Sequence, residues 1–543
     1  MEALRSLEIG IRAIRAQRQA MHVIGHNVAN VNTPGFSRQR AVLAPTLPSG
    51  QMGTGVKVET IDRIRDEVID YYIRKENPTL NRWATKNEIL EKIETLFNEP
   101  SETGISNIMN SFWDSWQDLA NSPEDGAARA NVREQARILC EIFRGLYSSL
   151  KDFQSHIDTQ IQSAVDNVNS LIHQIAELNV EIERVELGGR ARANDLRDRR
   201  DLLIDKLSEL INFSYQEMKD GTVRISVYGQ LLVSKGKVAE FVAEAGETGF
   251  LEVRWKDNKE NVLITNGKLK GLLEVRDEVI QGLLNSLDEL ASSLMKEVNE
   301  LHRQGMGLDG TNQIMGSKEL IGKIGIDGSF EINGVSIDVD PEDTLDDIVA
   351  KINAMTDDSV TPTGVVASKN GKNRLVLSPG GANPQTVCIT QDPNDIMHKL
   401  GILNDFFQGT GAEDMALSEA VEEDLNYIAA SRSGAPGDNS NALAISQLKE
   451  KLTMENGVST FSDYYNGMVG KLGIEATEAK TLKENQDLLI TELENRRQSI
   501  SGVSLDEELT NIVLFQQAYE AAVHFLRTIS DMLDLLTRTM IRE

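Results

Sequence analysis

The chain has 543 residues, with 84 acidic and 56 basic side chains and a formal net charge of −28. That length predicts several domains, and the acidity argues against nucleic acid as the main partner, because phosphate binding needs clustered positive charge. Aromatics are only 5% of the residues, so no carbohydrate-stacking surface is expected.

Cys140 and Cys388 lie far apart and imply no disulfide framework. Met1 to Glu8 places acids and an arginine where a signal peptide needs an apolar core, and no run approaches a membrane span. The expectation is a chain without a cleaved signal and without membrane insertion.

From Leu4, steps of three and four visit Leu7, Ile11, Ile14, Arg18, Met21, Gly25 and Val28, predicting an opening helix that stops near Asn30. In Asn30-Val31-Asn32-Thr33-Pro34-Gly35-Phe36-Ser37-Arg38, proline holds Thr33 extended and Pro34-Gly35 suits the centre of a type II turn. Gln39–Leu43 and Gly55–Glu59 then read as two strands of a small hairpin-like arm. Residues 80–211 read as helical, beginning with Trp83–Phe97. Residues 104–119 follow, with Ile105, Ile108, Phe112, Trp116 and Leu119 on one side. After a break at Asn121-Ser122-Pro123, Ala127–Phe153 resumes the helix. From Ile157 an unbroken apolar heptad runs through Ile161, Ala164, Val168, Leu171, Ile175, Leu178, Ile182 and Val185, ending at Gly188-Gly189. Asp195–Ile211 returns as a second helix, giving an antiparallel hairpin that needs more helices to cover it.

Residues 213–271 change period. Phe213–Tyr215, Val223–Val227, Leu231–Val233, Val238–Val242, Leu251–Trp255 and Val262–Thr265 alternate between turn signals, as in a small antiparallel β module. Leu272–His302 reads as a long helix. Within 325–404, Ser329–Val339 reads as a hairpin and Thr344 as the N-cap of a helix over Leu345–Met355. Val365–Ser368 and Leu375–Ser378 read as two more strands, completing an inserted unit of ββαββ order. Residues 405–440 return the chain to helices carrying Leu443, Leu448 and Leu452, then Phe461 to Leu472, then Ala476–Ile500.

The closing helix carries the strongest pattern. From Leu505 the steps reach Leu509, Ile512, Gln516, Tyr519, Val523, Leu526, Ser530, Leu533, Thr537 and Met540, and a second apolar stripe from Val513 to Leu536 covers a neighbouring face. So much apolar surface calls for burial on two sides, in a bundle or an assembly. Residues 1–40 carry a net charge of +4 and residues 502–543 a net of −4. The two ends are therefore expected to pair as helices, with charge setting partner and register.

Candidate chemical sites are weak. Gly305-Met306-Gly307-Leu308-Asp309-Gly310 has spaced glycines, but it follows a helix, whereas a dinucleotide motif follows a strand and opens a helix. It reads as a helix-ending loop. His22 and His26 sit one turn apart without a third ligand nearby and read as ordinary polar positions. In Asp338–Asp343 the sixth position is Asp343, where an EF-hand loop needs glycine. No nucleophile arrangement is visible, so no catalytic residue, metal or cofactor is expected, and the chain does not read as an enzyme.

Asn27-Val28-Ala29-Asn30 with Thr33-Pro34-Gly35-Phe36-Ser37-Arg38 resembles the N-terminal motif of the bacterial flagellar axial proteins, the rod, hook and hook-associated family. Thr54-Gly55-Val56-Lys57-Val58 through Asp66 is similar to the arm of that family. Ser501-Gly502-Val503-Ser504-Leu505-Asp506-Glu507-Glu508-Leu509 with Phe515-Gln516-Gln517-Ala518-Tyr519-Glu520-Ala521-Ala522 resembles the C-terminal end of its hook–filament junction branch. The resemblance implies a structural axial protein joining hook to filament, secreted by the flagellar type III route and located in the extracellular flagellum. It implies as partners further copies in a tubular assembly, the hook protein, a second junction protein (hook-associated protein 3) and an export chaperone at the C-terminal helix. Another axial protein (hook or distal rod) or a coiled-coil adhesin is the alternative.

The expected fold is multidomain and mainly α, with terminal coiled-coil helices, long helical hairpins in a bundle, a small antiparallel β module and an inserted α+β domain. The expected divisions are 1–75 with 501–543; 76–212 with 272–304 and 435–500; 213–271; and 305–434. Assembly is expected to rest on Leu4, Leu7, Ile11, Ile14, Asn27, Asn30, Thr33, Pro34, Gly35, Phe36, Leu505, Leu509, Ile512, Tyr519, Val523, Leu526 and Leu533.

Overall fold

The computed structural model describes residues 2–48, 53–101, 103–187, 192–247, 249–308, 314–316, 319–357, 362–382, 387, 389–391, 396, 400–401 and 404–540. It divides into two compact units. The first holds Met1–Ile89, Ser155–Arg276 and Ala476–Glu543, and the second Leu90–Gln154 and Asp277–Glu475. The fold is mainly α, with small antiparallel sheets.

In the first unit α1 (Glu2–Ala29) leads through the Thr33–Phe36 turn into β1 (Gln39–Pro45), which pairs antiparallel with β2 (Val56–Arg63). The turn forms as the sequence predicts: the Phe36 N–H donates to the Thr33 carbonyl at 3.2 Å and Gly35 has φ +78°, the left-handed value a type II turn requires. Next, α2 (Glu67–Phe97) begins well before Trp83 and carries Pro78 inside it. The Pro78 carbonyl accepts from the Gly267 N–H at 3.0 Å.

The segments expected as Ala127–Phe153 and Ile157–Val185 are one helix, α4 (Gly126–Glu186), which follows α3 (Ile105–Asn121). Their apolar stripes join without a breaker residue, so nothing interrupts the backbone ladder. The predicted stop at Gly188-Gly189 lies outside the described residues. The return helix is α5 (Asn194–Leu210).

The β module is two sheets. One has the order β3 (Ser214–Glu217), β4 (Val223–Val227), β5 (Gln230–Ser234), β6 (Lys237–Val238); the other pairs β7 (Phe241–Ala245) with β8 (Leu251–Trp255). The run Val238–Val242 is thus shared between two sheets. Val262–Thr265 is no strand, its neighbour Asn261 making an isolated bridge to Arg254. Two asparagines of α4 fasten this module. Asn179 Nδ2 donates to the Val223 carbonyl and Oδ1 accepts from its N–H, both at 2.9 Å. Asn169 does the same to Phe241 at 2.8 and 2.9 Å.

The long helix expected from Leu272 starts earlier, as α6 (Lys268–Glu274), widens to a π-helical stretch over Val275–Ile280 and continues as α7 (Gln281–Arg303).

In the second unit, β9 (Ile314–Met315) opens the insert. The expected ββαββ order is present as β10 (Gly328–Ile332), β11 (Val335–Val339), α8 (Leu345–Ala354), β12 (Val365–Lys369) and β13 (Leu375–Pro379). The strands form two sheets rather than one, β11-β10-β14 with β14 at Ile389–Gln391, and β12-β13-β9. Thr344 caps α8 in a reciprocal box with Asp347, which satisfies two orphan donors at the helix start. Phe330, Ile332, Ile348, Ile352, Val365 and Leu377 share its core.

Beyond lie the short pair β15 (Phe407–Gln408) and β16 (Ala416–Leu417), then α9 (Glu419–Glu423) and α10 (Ser440–Ser446). An aromatic cluster of Phe112, Trp113, Trp116, Phe406, Phe407 and Phe461 is fully buried in this unit. The chain closes with α11 (Phe461–Ser501), in which Ala476–Ile500 continues the helix begun at Phe461, and α12 (Leu505–Met540).

Candidate assembly surface

The two ends of the chain lie side by side and antiparallel. At one level Gly10 faces Leu526, whose Cγ would sit 2.7 Å from a Cβ at position 10. At the other, Asn27 Nδ2 lies 3.1 Å from Glu508 Oε2. Glycine at position 10 therefore lets the two backbones approach. Ile14, Gln17, Met21, Ile24 and Val28 follow it at three- and four-residue steps along the same face.

Asn27 and Glu508 are both almost fully buried, at 1% exposure. Asn27 holds the start of β1, its Nδ2 donating to the Gln39 carbonyl at 2.8 Å and its Oδ1 accepting from the Gln39 N–H at 2.9 Å. Arg38 Nε donates to Glu508 Oε1 and its Nη1 to Glu507, each at 2.6 Å, and the Arg38 N–H donates to the Ser501 carbonyl at 2.8 Å. One node thus ties α1, the turn, β1 and the first turn of α12. The predicted pairing of opposite charge at the chain ends comes from Arg38. Within α1, Arg12 turns to Glu8 of its own helix at 2.5 Å.

On the other side of the turn lies α5. The Ser37 N–H and Oγ donate to Asp198 at 2.9 and 2.8 Å, and Gln39 Nε2 donates to Asp195 at 2.7 Å. Arg63 bridges Asp198 and Asp201, both at 2.8 Å, Arg65 pairs with Asp70, and Arg74 pairs with Asp205 at 2.7 Å. Burial alone would push Asp201 up, but the guanidiniums of Arg65, Arg74, Arg63 and Arg200 outweigh it and hold that carboxyl well below the carboxylate range. At Asp198 burial wins over Arg63 and Ser37, and its pKa is raised. Burial lowers the Arg200 guanidinium to about 10. The cluster is a buried, mutually neutralising brace, costly to break by removing one member.

The expected assembly residues fall into three groups. Asn27 is consumed inside the node. Asn30, Thr33 and Phe36 shape the turn: Thr33 Oγ1 donates to Asn30 Oδ1 at 3.0 Å, and Phe36 meets the His26 ring edge-on at 5.4 Å. Pro34 and Gly35 are exposed, Gly35 passing close to Leu202 of α5.

The helical positions form the third group. Leu7, Ile11, Ile14, Ile512, Tyr519, Leu526 and Leu533 are half-buried, while Leu505, Leu509 and Val523 are exposed. The side chain of Leu4 lies outside the described residues. Together with Val513, Leu514, Phe525, Met532 and Leu535, the exposed leucines leave α12 apolar on faces that α1 does not cover; Leu509 is 56% and Leu535 68% exposed. Sequence reasoning missed Gly10, Gln39, Glu508 and the α5 aspartates. A glycine interrupting a predicted apolar helix was the one available signal for close approach.

The other candidates resolve structurally. A Cβ at Gly305 would run into Asn441, and one at Gly307 into the Asn426 carbonyl, so those glycines serve close packing of the loop after α7. Asp309 and Gly310 lie outside the described residues. Asp343 accepts from the Asp340 N–H at 2.7 Å and closes a turn before α8. Among the described residues no group of three or more His, Cys, Asp or Glu side chains converges as metal ligands, and no helix is long and apolar enough to cross a membrane.

Paired terminal helices and a braced arm leave an apolar face of α12 uncovered, and both ends of the chain match models of flagellar axial proteins. Residues 7–36 match the flagella basal body rod protein model and 495–539 the model of the C-terminal region of the flagellar basal body rod proteins FlgE, FlgF and FlgG. Residues 90–316 match the helical domain of the flagellar hook-associated protein FlgK. The chain is 30% identical to flagellar hook-associated protein 1 of Bacillus subtilis, covering 98% of both chains, and 27% identical to that of Salmonella typhimurium, covering 96% of this chain and 97% of the other. The flagellar hook junction protein FlgK from Burkholderia pseudomallei shares the fold, with a TM-score of 0.55 at 17% identity over 79% of this chain and all of that one. The chain belongs to the flagellar hook-associated protein 1 family.

Proposed function

We propose that this chain is a structural axial protein of the bacterial flagellum that joins hook to filament, assembling through its paired terminal helices. The observation that carries this reading is α12. Its N-terminal turn is pinned by Asn27 and Arg38, yet Leu505, Leu509, Val513, Val523 and Leu535 remain exposed. A helix apolar on several faces gains by burial among other helices, at about 25 cal/mol per Å² of apolar surface removed from water.

In this reading the terminal helices and arm (1–75 with 501–543) build the shaft. The helical bundle, the β module (213–271) and the insert (305–434) form its outer parts. The neighbours are the hook protein and hook-associated protein 3, and a chaperone covers the C-terminal helix before export through the type III route without a cleaved signal. The protein does no catalysis and works outside the cell.

Electron microscopy of a strain lacking the gene tests this. Intact hooks without filaments are expected; normal filaments overturn the reading.

A further inference from the structure

Five Asn-Gly pairs occur in the chain, at 266–267, 333–334, 370–371, 456–457 and 466–467. In such a pair the glycine nitrogen can reach the side-chain amide carbon of the asparagine, because no side chain shields it. The fold treats the five differently.

Four are held back. The Gly267 N–H donates to the Pro78 carbonyl and the Gly457 N–H to the Met454 carbonyl, each at 3.0 Å. Asn466 and Gly467 lie inside α11, where backbone N–H groups belong to the helical ladder. Asn333 is fastened through Nδ2 to the Thr363 carbonyl at 2.8 Å and would give that bond up to turn over Gly334.

Asn370 and Gly371 stand in the loop between β12 and β13 of the insert, with Gly371 exposed. Asn370 Oδ1 accepts from the backbone N–H groups of Lys372 and Arg374, both at 3.0 Å. The Gly371 N–H has no hydrogen-bond partner among the described residues. The backbone does not require glycine there: φ at 371 is not left-handed, and a Cβ would meet nothing within 4 Å. Two donors on Oδ1 draw electron density from the amide carbon and stay in place as the oxygen takes up negative charge, as in an oxyanion hole.

We propose that Asn370 is a self-modifying site, where the Gly371 nitrogen displaces the side-chain amide and leaves a carboxylate in the insert. The Gly371 nitrogen gives its proton to hydroxide and bonds to Cγ. The Cγ–Nδ2 bond breaks, Nδ2 leaves as ammonia with a proton from water, and a five-membered imide closes. Water then adds to one imide carbonyl and breaks its bond to nitrogen. Opening at Cγ gives aspartate; opening at the backbone carbonyl gives isoaspartate. The net change is one water gained and one ammonia lost, with nothing oxidised or reduced. The new carboxylate arises in the loop whose Lys372 and Arg374 both hold Glu419 of α9, Lys372 at 2.7 Å. It competes with Glu419 for them, so conversion loosens the tie between the insert and α9.

The test uses the full-length chain, incubated at neutral pH and then digested at acidic pH, where attack by the glycine nitrogen stops, before the peptides are weighed. The mass gain of an amide becoming an acid is expected at Asn370 about tenfold faster than at the other four asparagines, where a hydrogen bond must first be given up. In urea the five rates should draw together. Gly371→Val, which the backbone at 371 admits, should slow conversion at Asn370 by about tenfold by placing a β-branched side chain over the nitrogen. Equal rates at all five pairs in the folded protein, faster conversion at another pair, or an unchanged rate in Gly371→Val overturns the assignment.

Discussion

At the scale of single residues, one device recurs. An asparagine on a helix offers both ends of its amide to the backbone of one strand residue. Asn27 does this to Gln39, Asn169 to Phe241, Asn179 to Val223, Asn299 to Phe407 and Asn353 to Ala367. The bonds replace the missing ladder partner of a strand end, or for Ala367 of an edge strand, packed against a helix, where an unpaired buried N–H or carbonyl would be costly. Asn179→Ala should lower the stability of the first unit by about 2–4 kcal/mol, because Val223 loses two buried partners; urea unfolding followed by far-UV circular dichroism measures it. His302 gives a pH dependence in the second unit. Its Nδ1 lies 2.7 Å from the Asn404 carbonyl and its Nε2 accepts from the Ala429 N–H at 3.0 Å, so a second proton would face a donor. Burial lowers its pKa from 6.5 to about 4. The unfolded chain takes up that proton first, so the contribution is complete above about pH 6.5 and is lost as pH falls toward 4. His302→Gln should flatten the stability profile of this unit across that window.

At the scale of elements, the two glycines of α1 make a contrast. Gly10 is pressed against Leu526, while a Cβ at Gly25 would meet nothing within 4 Å. Gly25→Ala should stabilise α1 by about 1 kcal/mol through helix propensity. Gly10→Leu should weaken the terminal pair by about 1–3 kcal/mol through overpacking. Hydrogen exchange of the α1 amides separates the two outcomes. Much of this architecture was legible in advance. Period-3.5 stripes placed α1, α3, α5 and α12, Pro34-Gly35 placed the turn, and Thr344 with its acidic successors placed the start of α8. What was not legible depends on distant partners. Joining 126–186 into one helix needs only the absence of a breaker, which periodicity alone does not weigh. Val262–Thr265 alternates like a strand but finds no ladder beside β8. The α5 aspartates read as an ordinary charged helix surface, because Arg63, Arg65 and Arg74 that neutralise them come from a segment more than a hundred residues away.

At the scale of the whole molecule, two units with separate cores should not melt as one. The insert adds a core of its own around Phe330, Ile348 and Leu377. A calorimetric scan is expected to show a calorimetric enthalpy exceeding the van't Hoff value, and a single two-state transition would contradict that. The bond from Asn27 to Glu508 joins residues 481 positions apart. A chain that emerges amino-end first must therefore keep its opening helix waiting while nearly everything else is delivered. Only a molecule that has arrived in full can latch, so the latch works as an inspection stamp: a product broken off before residue 508 lacks the carboxylate that Asn27 and Arg38 grasp.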